Sequence, residues 1–117
     1  RLRTRNILVP PVASHTRHRL APPVAGGVAA LAEAYRKGTA SPVEAVEHCL
    51  AAITALDSII GAFQEVYATE ARAAARKAQA EIKSGRAIGP FHGIPFALKD
   101  LVDVEGHVTT GGSATRK

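Results

Sequence analysis

The chain has 117 residues and is 46% hydrophobic, but three Phe, two Tyr and no Trp leave few large side chains for a core. This length suits one small domain or a piece of a larger one, and we expect marginal stability unless something else covers it. The five excess positive charges all lie within residues 1–20, because ten basic and ten acidic residues balance from residue 21 onward. The net charge of +5 therefore gives no support for a nucleic-acid-binding surface on the globular part.

Residues 1–25 make up an arm that is rich in proline and arginine, and we expect it to be disordered. A nucleic-acid contact and an organelle-targeting peptide are the functional alternatives, but the arm lacks interleaved aromatic residues and has little serine. Its apolar run at residues 7–9 is too short for the core of a signal peptide or for a membrane span. We therefore predict no membrane association.

The single cysteine, Cys49, excludes an internal disulfide and gives no argument for secretion, so we predict a cytoplasmic protein. The chain contains no Met, which fits a fragment better than a complete gene product. Cys49 falls on the apolar face of a predicted helix, where we expect a small core residue. The pattern places no histidine beside it, so a cysteine hydrolase is poorly supported.

Three helices are predicted after the arm, at residues 27–37, from residue 42 to about 56–57, and at residues 69–83. The first should end at Gly38, which supplies a left-handed stop. The second has a strong start signal, with Ser41 as N-cap, Pro42 at the first helical position and Glu44 completing a capping box. The third is rich in alanine, and its narrow, smooth stripe favours close packing against another element.

Two strands are predicted, at residues 62–66 and 94–99. The first shows a short alternation of apolar and polar residues, and the second is an apolar run bounded by a Gly-Pro turn. In the second strand Ile94, Phe96 and Leu98 share one face, which we expect to pack in the core.

Lys99 ends this apolar run, on the face that it shares with Pro95 and Ala97. These small neighbours leave room for another group to approach the amine. Burial disfavours the charged form of a lysine, and a neutral amine can act as a base. Asp100 is predicted to point to the opposite face, away from Lys99. The alternative is a surface lysine that reaches water at the end of a strand.

Three other polar residues are weaker candidates. His92 precedes the strand, and a satisfied loop histidine explains it better than an acid–base role. Asp100 and Asp103 lack a third clustered ligand, so loop hydrogen bonding explains them more simply than a metal site.

The order of residues from 89 to 113 is distinctive. It contains Gly89-Pro90, Gly93-Ile94-Pro95, Lys99-Asp100, Asp103 and Thr109-Thr110-Gly111-Gly112-Ser113. This order closely resembles the strand and loop that carry the catalytic lysine of the amidase signature family. Residues 27–88 are similar to the N-terminal helices of that family in a more generic way.

The resemblance implies hydrolysis of carboxylic amides by a Ser–cis-Ser–Lys triad, without a cofactor or a metal. Lys99 matches the family's catalytic lysine, which accepts a proton from the bridging serine. Ser113, Gly112 and Asp100 match residues near the site, and Ser113 is not the nucleophile of the family. The two triad serines have no counterpart before Lys117, so we expect the isolated chain to be inactive.

The fold class that the resemblance implies is α/β. Residues 26–117 would be the N-terminal part of an amidase domain, with helices and the first strands of a large mixed sheet flanked by helices. The partner implied is a small-molecule amide substrate, and the oligomeric state stays open. Two alternatives remain: the glutaminase subunit of a tRNA-dependent amidotransferase, which would act with partner subunits and with nucleic acid, and a truncated remnant without activity.

Overall fold

A computed structural model describes residues 26–86, 89–113 and 115 of the chain. The predicted arm at residues 1–25 lies outside the described residues. The described part contains three helices: α1 (Gly27–Lys37), α2 (Pro42–Ile60) and α3 (Ala68–Lys83). None of them is long and apolar enough to cross a membrane.

The start of α2 has the capping box that the sequence predicts. The hydroxyl of Ser41 accepts a hydrogen bond from the backbone N–H of Glu44 at 3.2 Å, and the Glu44 carboxylate accepts one from the Ser41 N–H at 2.8 Å. Pro42 occupies the first turn, where its missing N–H costs no intrahelical bond. The box fixes the point at which the chain turns from α1 into α2.

The helix ends are close to the predicted ones. The helix α1 stops at Gly38, whose φ of 69° is left-handed, as the sequence predicts. The helix α2 continues to Ile60, past the predicted end, and stops at Gly61 with a φ of 62°. The Asp57 carboxylate accepts hydrogen bonds from the N–H groups of Ala62 and Phe63. Asp57 therefore lies within the last turn of α2 and holds the residues that follow the helix.

The core is small and is made largely of alanine. Its buried members are Ala32, Ala34, Tyr35, Pro42, Ala45, Val46, Ala75 and Ala78. The helices α2 and α3 form the closely packed pair, as the smooth stripe on α3 predicts. The Arg72 guanidinium on α3 donates to both carboxylate oxygens of Glu47 on α2, at 2.7 and 3.0 Å. This bidentate pair joins the two helices on their exposed side.

The predicted strands are absent from the part of the chain that the structure describes. Residues 62–66 and 94–99 have no regular secondary structure. The predicted core packing of residues 94–99 is wrong for this chain, because Phe96 is 81% exposed and Leu98 is 51% exposed. A strand exists through hydrogen bonds to a neighbouring strand, and these residues have no such neighbour among the described ones. The described residues therefore do not show the predicted α/β class.

Cys49 also differs from its prediction. It lies on α2 but is exposed and not part of the core. Surrounding atoms still desolvate the thiol enough to raise its pKa above the usual range, although part of the residue faces solvent. A thiol with a raised pKa is a weak nucleophile near neutral pH, so Cys49 remains a poor candidate for catalysis.

Candidate active site

Lys99 lies at the start of a turn that follows the apolar segment. Its carbonyl oxygen accepts hydrogen bonds from the N–H groups of Leu101 at 2.7 Å and of Val102 at 3.1 Å. The residue is exposed, which differs from the buried lysine that the sequence predicts. The predicted burial depended on a sheet around residues 94–99, and that sheet is not formed by the described residues. None of the ion pairs among these residues involves the Lys99 amine.

Asp100 connects the two ends of the loop that follows Lys99. Its carboxylate accepts hydrogen bonds from the N–H of Thr110 at 2.9 Å, from the hydroxyl of Thr110, and from the N–H of Gly112 at 3.1 Å. These donors, the Thr110 hydroxyl first, hold the pKa of the Asp100 carboxyl below its usual range. The carboxylate is therefore committed to the 110–112 turn and not to Lys99, as the predicted loop role requires. We call residues 99–113 the lysine loop.

The far end of the lysine loop is a tight turn over residues 110–113. The Ser113 N–H donates to the Thr110 carbonyl at 3.1 Å, which closes the turn. Gly111 and Gly112 have φ values of 60° and 73°, and two successive positive φ values define a type I′ turn that favours glycine. The turn presents the Gly112 N–H to Asp100 and leaves the Ser113 hydroxyl 2.8 Å from that of Thr115.

The hydrogen bonds of Asp100 thus connect the chain next to Lys99 with the turn that contains Gly112 and Ser113. The sequence predicts all four residues near one site, and hydrogen bonds connect Asp100 with Gly112 directly. Asp103 is exposed and takes no part in these bonds. Because Asp100 faces the turn, the Lys99 amine has no carboxylate within ion-pair distance among the described groups.

His107, at the middle of the lysine loop, contacts the segment that precedes α3. Its ring lies on Tyr67 with a centroid distance of 4.0 Å and an interplanar angle of 48°. Its Nδ1 lies 3.5 Å from Oε1 of Glu65. Desolvation, with further contributions from the carboxylates of Glu65, Asp100 and Glu70, raises the pKa of Tyr67. These carboxylates make the environment of the aromatic pair acidic.

Sequence reasoning missed this contact. His107 and Tyr67 are 40 positions apart, and neither belongs to a motif or to a periodic apolar pattern. A local signal for the pair is absent, because the contact depends on how the loop folds back onto the linker before α3.

The turn before the apolar segment is packed against the helices through Gly93. A Cβ atom at this position would lie 2.7 Å from Cγ of Pro42 and 3.4 Å from Cβ of Ala78. The φ of Gly93 is 76°, so both the space and the backbone conformation require glycine. This contact fixes where the chain leaves the helical part on its way to Lys99.

His92 lies in the same turn and is mostly buried. Its Nε2 is 3.2 Å from Oε2 of Glu81 on α3, but the angles leave that nitrogen without a hydrogen bond. His92 also borders a cavity of about 540 Å³ beside Tyr35 of α1, and Lys99 is not among the residues that line it. The position agrees with the predicted loop histidine and gives it no contact with the lysine loop.

The chain belongs to the amidase family, because the family model described as Amidase matches residues 44–117. The match includes Lys99 and the whole lysine loop, together with α3 and nearly all of α2. The resemblance drawn from residues 89–113 is therefore confirmed at the level of the family.

Two kinds of relative are similar to the chain. It is 42% identical over 86 residues to a glutamyl-tRNA(Gln) amidotransferase subunit of Chloroflexus aurantiacus, an alignment that covers 74% of this chain and 18% of that protein. It is 38% identical to an amidase of Pseudomonas putida, with the same coverage of both chains. The corresponding amidotransferase subunit of Anaeromyxobacter dehalogenans is 45% identical over 73 residues, which are 62% of this chain and 15% of that protein.

The chain spans about a fifth of the length of these curated relatives. No solved structure matches it.

Proposed function

We propose that the chain is part of an amidase-type hydrolase that cleaves carboxylic amide C–N bonds, with Lys99 as the base. The observation that carries this proposal is that Asp100 and Lys99, although adjacent in the lysine loop, do not pair with each other. The Asp100 carboxylate accepts its hydrogen bonds from the 110–112 turn, and none of the ion pairs among the described residues involves the Lys99 amine.

The mechanism follows from nucleophile activation by a neighbouring base. The neutral Lys99 amine accepts a proton from the bridging serine, which in turn takes the proton of the nucleophilic serine. The nucleophile attacks the amide carbonyl, the C–N bond breaks, and ammonia or an amine leaves with a proton. Water then cleaves the acyl-enzyme ester and releases the carboxylic acid. In the family both serines lie beyond the segment that this chain matches.

In the complete enzyme the environment of Lys99 would differ from that in the chain. The exposed apolar side chains before it, Phe96 and Leu98, are of the kind that packs between a sheet and helices. Once they are covered by a sheet, the neighbouring amine loses water as well, and desolvation favours its neutral form. The base function therefore depends on residues that cover the segment 94–99.

A chimera tests the role of Lys99. Residues 44–117 of this chain replace the matching segment of the Pseudomonas putida amidase, and amide hydrolysis is measured for the chimera and for its Lys99→Ala variant. We expect Lys99→Ala to lower kcat/KM by about 10²- to 10⁴-fold, the usual contribution of a general base. The matched control is Lys83→Ala at the exposed end of α3, which should change kcat/KM less than twofold. A Lys99→Ala chimera as active as the Lys83→Ala chimera would contradict the proposal.

The relatives favour a second candidate function, that of the glutaminase subunit of a tRNA-dependent amidotransferase. Such a protein would release ammonia from glutamine by the same triad chemistry and would need partner subunits. The measurement that separates the two functions uses the protein encoded by the uninterrupted reading frame that contains this chain. Glutamine hydrolysis that requires added partner subunits would favour the amidotransferase, and hydrolysis of simple amides without them would favour the amidase. A stop codon directly after Lys117 would instead favour the inactive remnant.

A further inference from the structure

We propose that His107 is a positioning residue for Lys99, because it holds the lysine loop against the segment before α3, more firmly when its imidazole is protonated. The inference rests on the proposed function of Lys99 but concerns a different residue. Of the hydrogen bonds, ion pairs and aromatic contacts among the described residues, only those of His107 join the lysine loop to the part of the chain that carries the helices.

Hydrogen bonds across the lysine loop make it one unit. Asp100 connects the base of the loop, next to Lys99, with the turn that contains Thr110 and Gly112. The Thr109 hydroxyl also donates to the Val102 carbonyl at 3.4 Å. A contact at the middle of the loop therefore also restrains the start of the loop, and with it the backbone of Lys99.

His107 makes two contacts with the segment before α3, one through its ring and one through Nδ1. The ring lies on Tyr67, and Nδ1 approaches the Glu65 carboxylate at 3.5 Å. The imidazole side chain is 26% exposed, so the contact is partly shielded from solvent. The tilted ring contact needs only an aromatic ring, whereas the approach to Glu65 gains strength when the imidazole is charged.

Negative charge acts on the aromatic pair of His107 and Tyr67. The carboxylates that act on Tyr67 are Glu65 of the linker, Glu70 in the first turn of α3, and Asp100 of the loop itself. On the loop, Asp103 and Glu105 are exposed. Of these groups, the Glu65 carboxylate is the one shown within ion-pair distance of the imidazole, at 3.5 Å, and an imidazolium at this position is attracted to it. Protonation of His107 should therefore tighten the docking, and loss of the proton should loosen it.

The test measures docking directly in the full 117-residue chain, without reference to catalysis. Protection factors of the Thr110 and Gly112 amides are measured by NMR at pH 6 and pH 8, together with the proton–proton contact between the rings of His107 and Tyr67. Protection factors remove the intrinsic pH dependence of amide exchange. Helix content by circular dichroism shows that each variant keeps α1 to α3.

We expect His107→Ala to lower the protection of both amides by about three- to tenfold at pH 6. His107→Phe should keep most of the protection but lose its dependence on pH, because it keeps the ring and removes the charge. The control, Val108→Ala, changes the adjacent side chain, which is 64% exposed, and should leave the protection unchanged.

The proposal is overturned if His107→Ala leaves both amides as protected as in the unchanged chain. The proposed effect of the imidazole charge is overturned if the unchanged chain and His107→Phe show the same amide protection at pH 6 and at pH 8. Either result would leave the catalytic role of Lys99 untouched, because that role is tested by Lys99→Ala in the chimera. Conversely, a Lys99→Ala chimera that keeps its activity would not affect the conclusion about the docking of the loop.

Discussion

Asp100 accepts three hydrogen bonds from the 110–112 turn, while the amine of its neighbour Lys99 takes part in no ion pair with a described residue. The carboxylate therefore organises the loop, and under the proposed function the amine is the group that would react. A carboxylate paired with the amine would stabilise the charged form, which cannot accept a proton.

Residue-scale reasoning from the sequence predicts the role of Asp100 in the loop but not its partners. Thr110 and Gly112 lie ten and twelve residues after Asp100 in the sequence, which is too far for a local turn motif. The cap residues Ser41 and Gly38 were accessible from the sequence because a cap acts within three or four residues of itself. Contacts such as that of His107 with Tyr67 required the folded loop.

Acid pH should loosen the lysine loop through Asp100. The folded-state pKa of this carboxyl is lowered, so its contribution to loop order is fully present above the unfolded value of about 3.9. The contribution is lost as the pH falls through the lowered folded-state pKa, which lies below that value. Protection of the Thr110 and Gly112 amides should therefore persist at pH 4 and disappear only at more acidic pH.

Asp100→Asn is the matching substitution, and it should weaken the protection of the same amides at neutral pH because a neutral amide is a poorer acceptor than a carboxylate. Asp103→Asn is the control, since Asp103 is exposed and accepts none of these bonds. Equal protection in Asp100→Asn and Asp103→Asn at neutral pH would contradict the role given to Asp100. In the chimera Asp100→Asn should reduce activity less than Lys99→Ala, because it acts through loop order.

At the scale of elements, the packing of α2 against α3 positions everything that follows. The pair buries Ala45 and Val46 of α2 with Ala75 and Ala78 of α3, and small side chains allow the backbones to approach closely. Gly93 then lies against Pro42 and Ala78, at the place where the two helices meet. The helices could be predicted because their caps and apolar periods are local, whereas the docking of the Gly93 turn depends on a surface made by two helices.

A methyl group at position 93 should release the turn from the helices. Gly93→Ala places a Cβ 2.7 Å from Cγ of Pro42 and forces a side-chain residue to keep a φ of 76°. We expect a loss of about 1–3 kcal/mol in the free energy of unfolding, measured by urea denaturation at 222 nm. The control is Gly89→Ala in the same turn, where a Cβ has no atom within 4 Å, and it should change stability by less than about 0.5 kcal/mol. Equal stability of the two variants would show that the Gly93 contact is not formed.

At the scale of the whole molecule, the described residues expose many large apolar side chains. The exposed set includes Ile59, Ile60, Phe91, Phe96, Leu101 and Val108. Scattered exposed apolar residues are normal, but the exposed side chains of Phe96, Leu98, Leu101 and Val102 lie close together in sequence on both sides of Lys99, which suits a segment that another part of a fold covers. The chain spans about a fifth of the length of its curated relatives.

The strands could not be confirmed because pairing is a property of the whole sheet. The apolar run at residues 94–98 contains the local pattern of a strand, yet hydrogen bonds to neighbouring strands decide whether that pattern becomes one. The same reason explains why Lys99 is exposed in the chain although its sequence context is that of a buried residue. The helices, whose hydrogen bonds lie within each segment, are formed as predicted.

The most direct test of the account is the acylation rate of the chimera with arginine in place of Lys99. A guanidinium keeps the positive charge and cannot act as a base, so the account predicts that Lys99→Arg is as damaging as Lys99→Ala in single-turnover acylation. It also predicts that the rate of the unchanged chimera rises with pH as the amine loses its proton, and that both variants lose this rise. If Lys99→Arg kept a substantial part of the acylation rate, Lys99 would serve as an electrostatic or structural group, and the base mechanism would be contradicted.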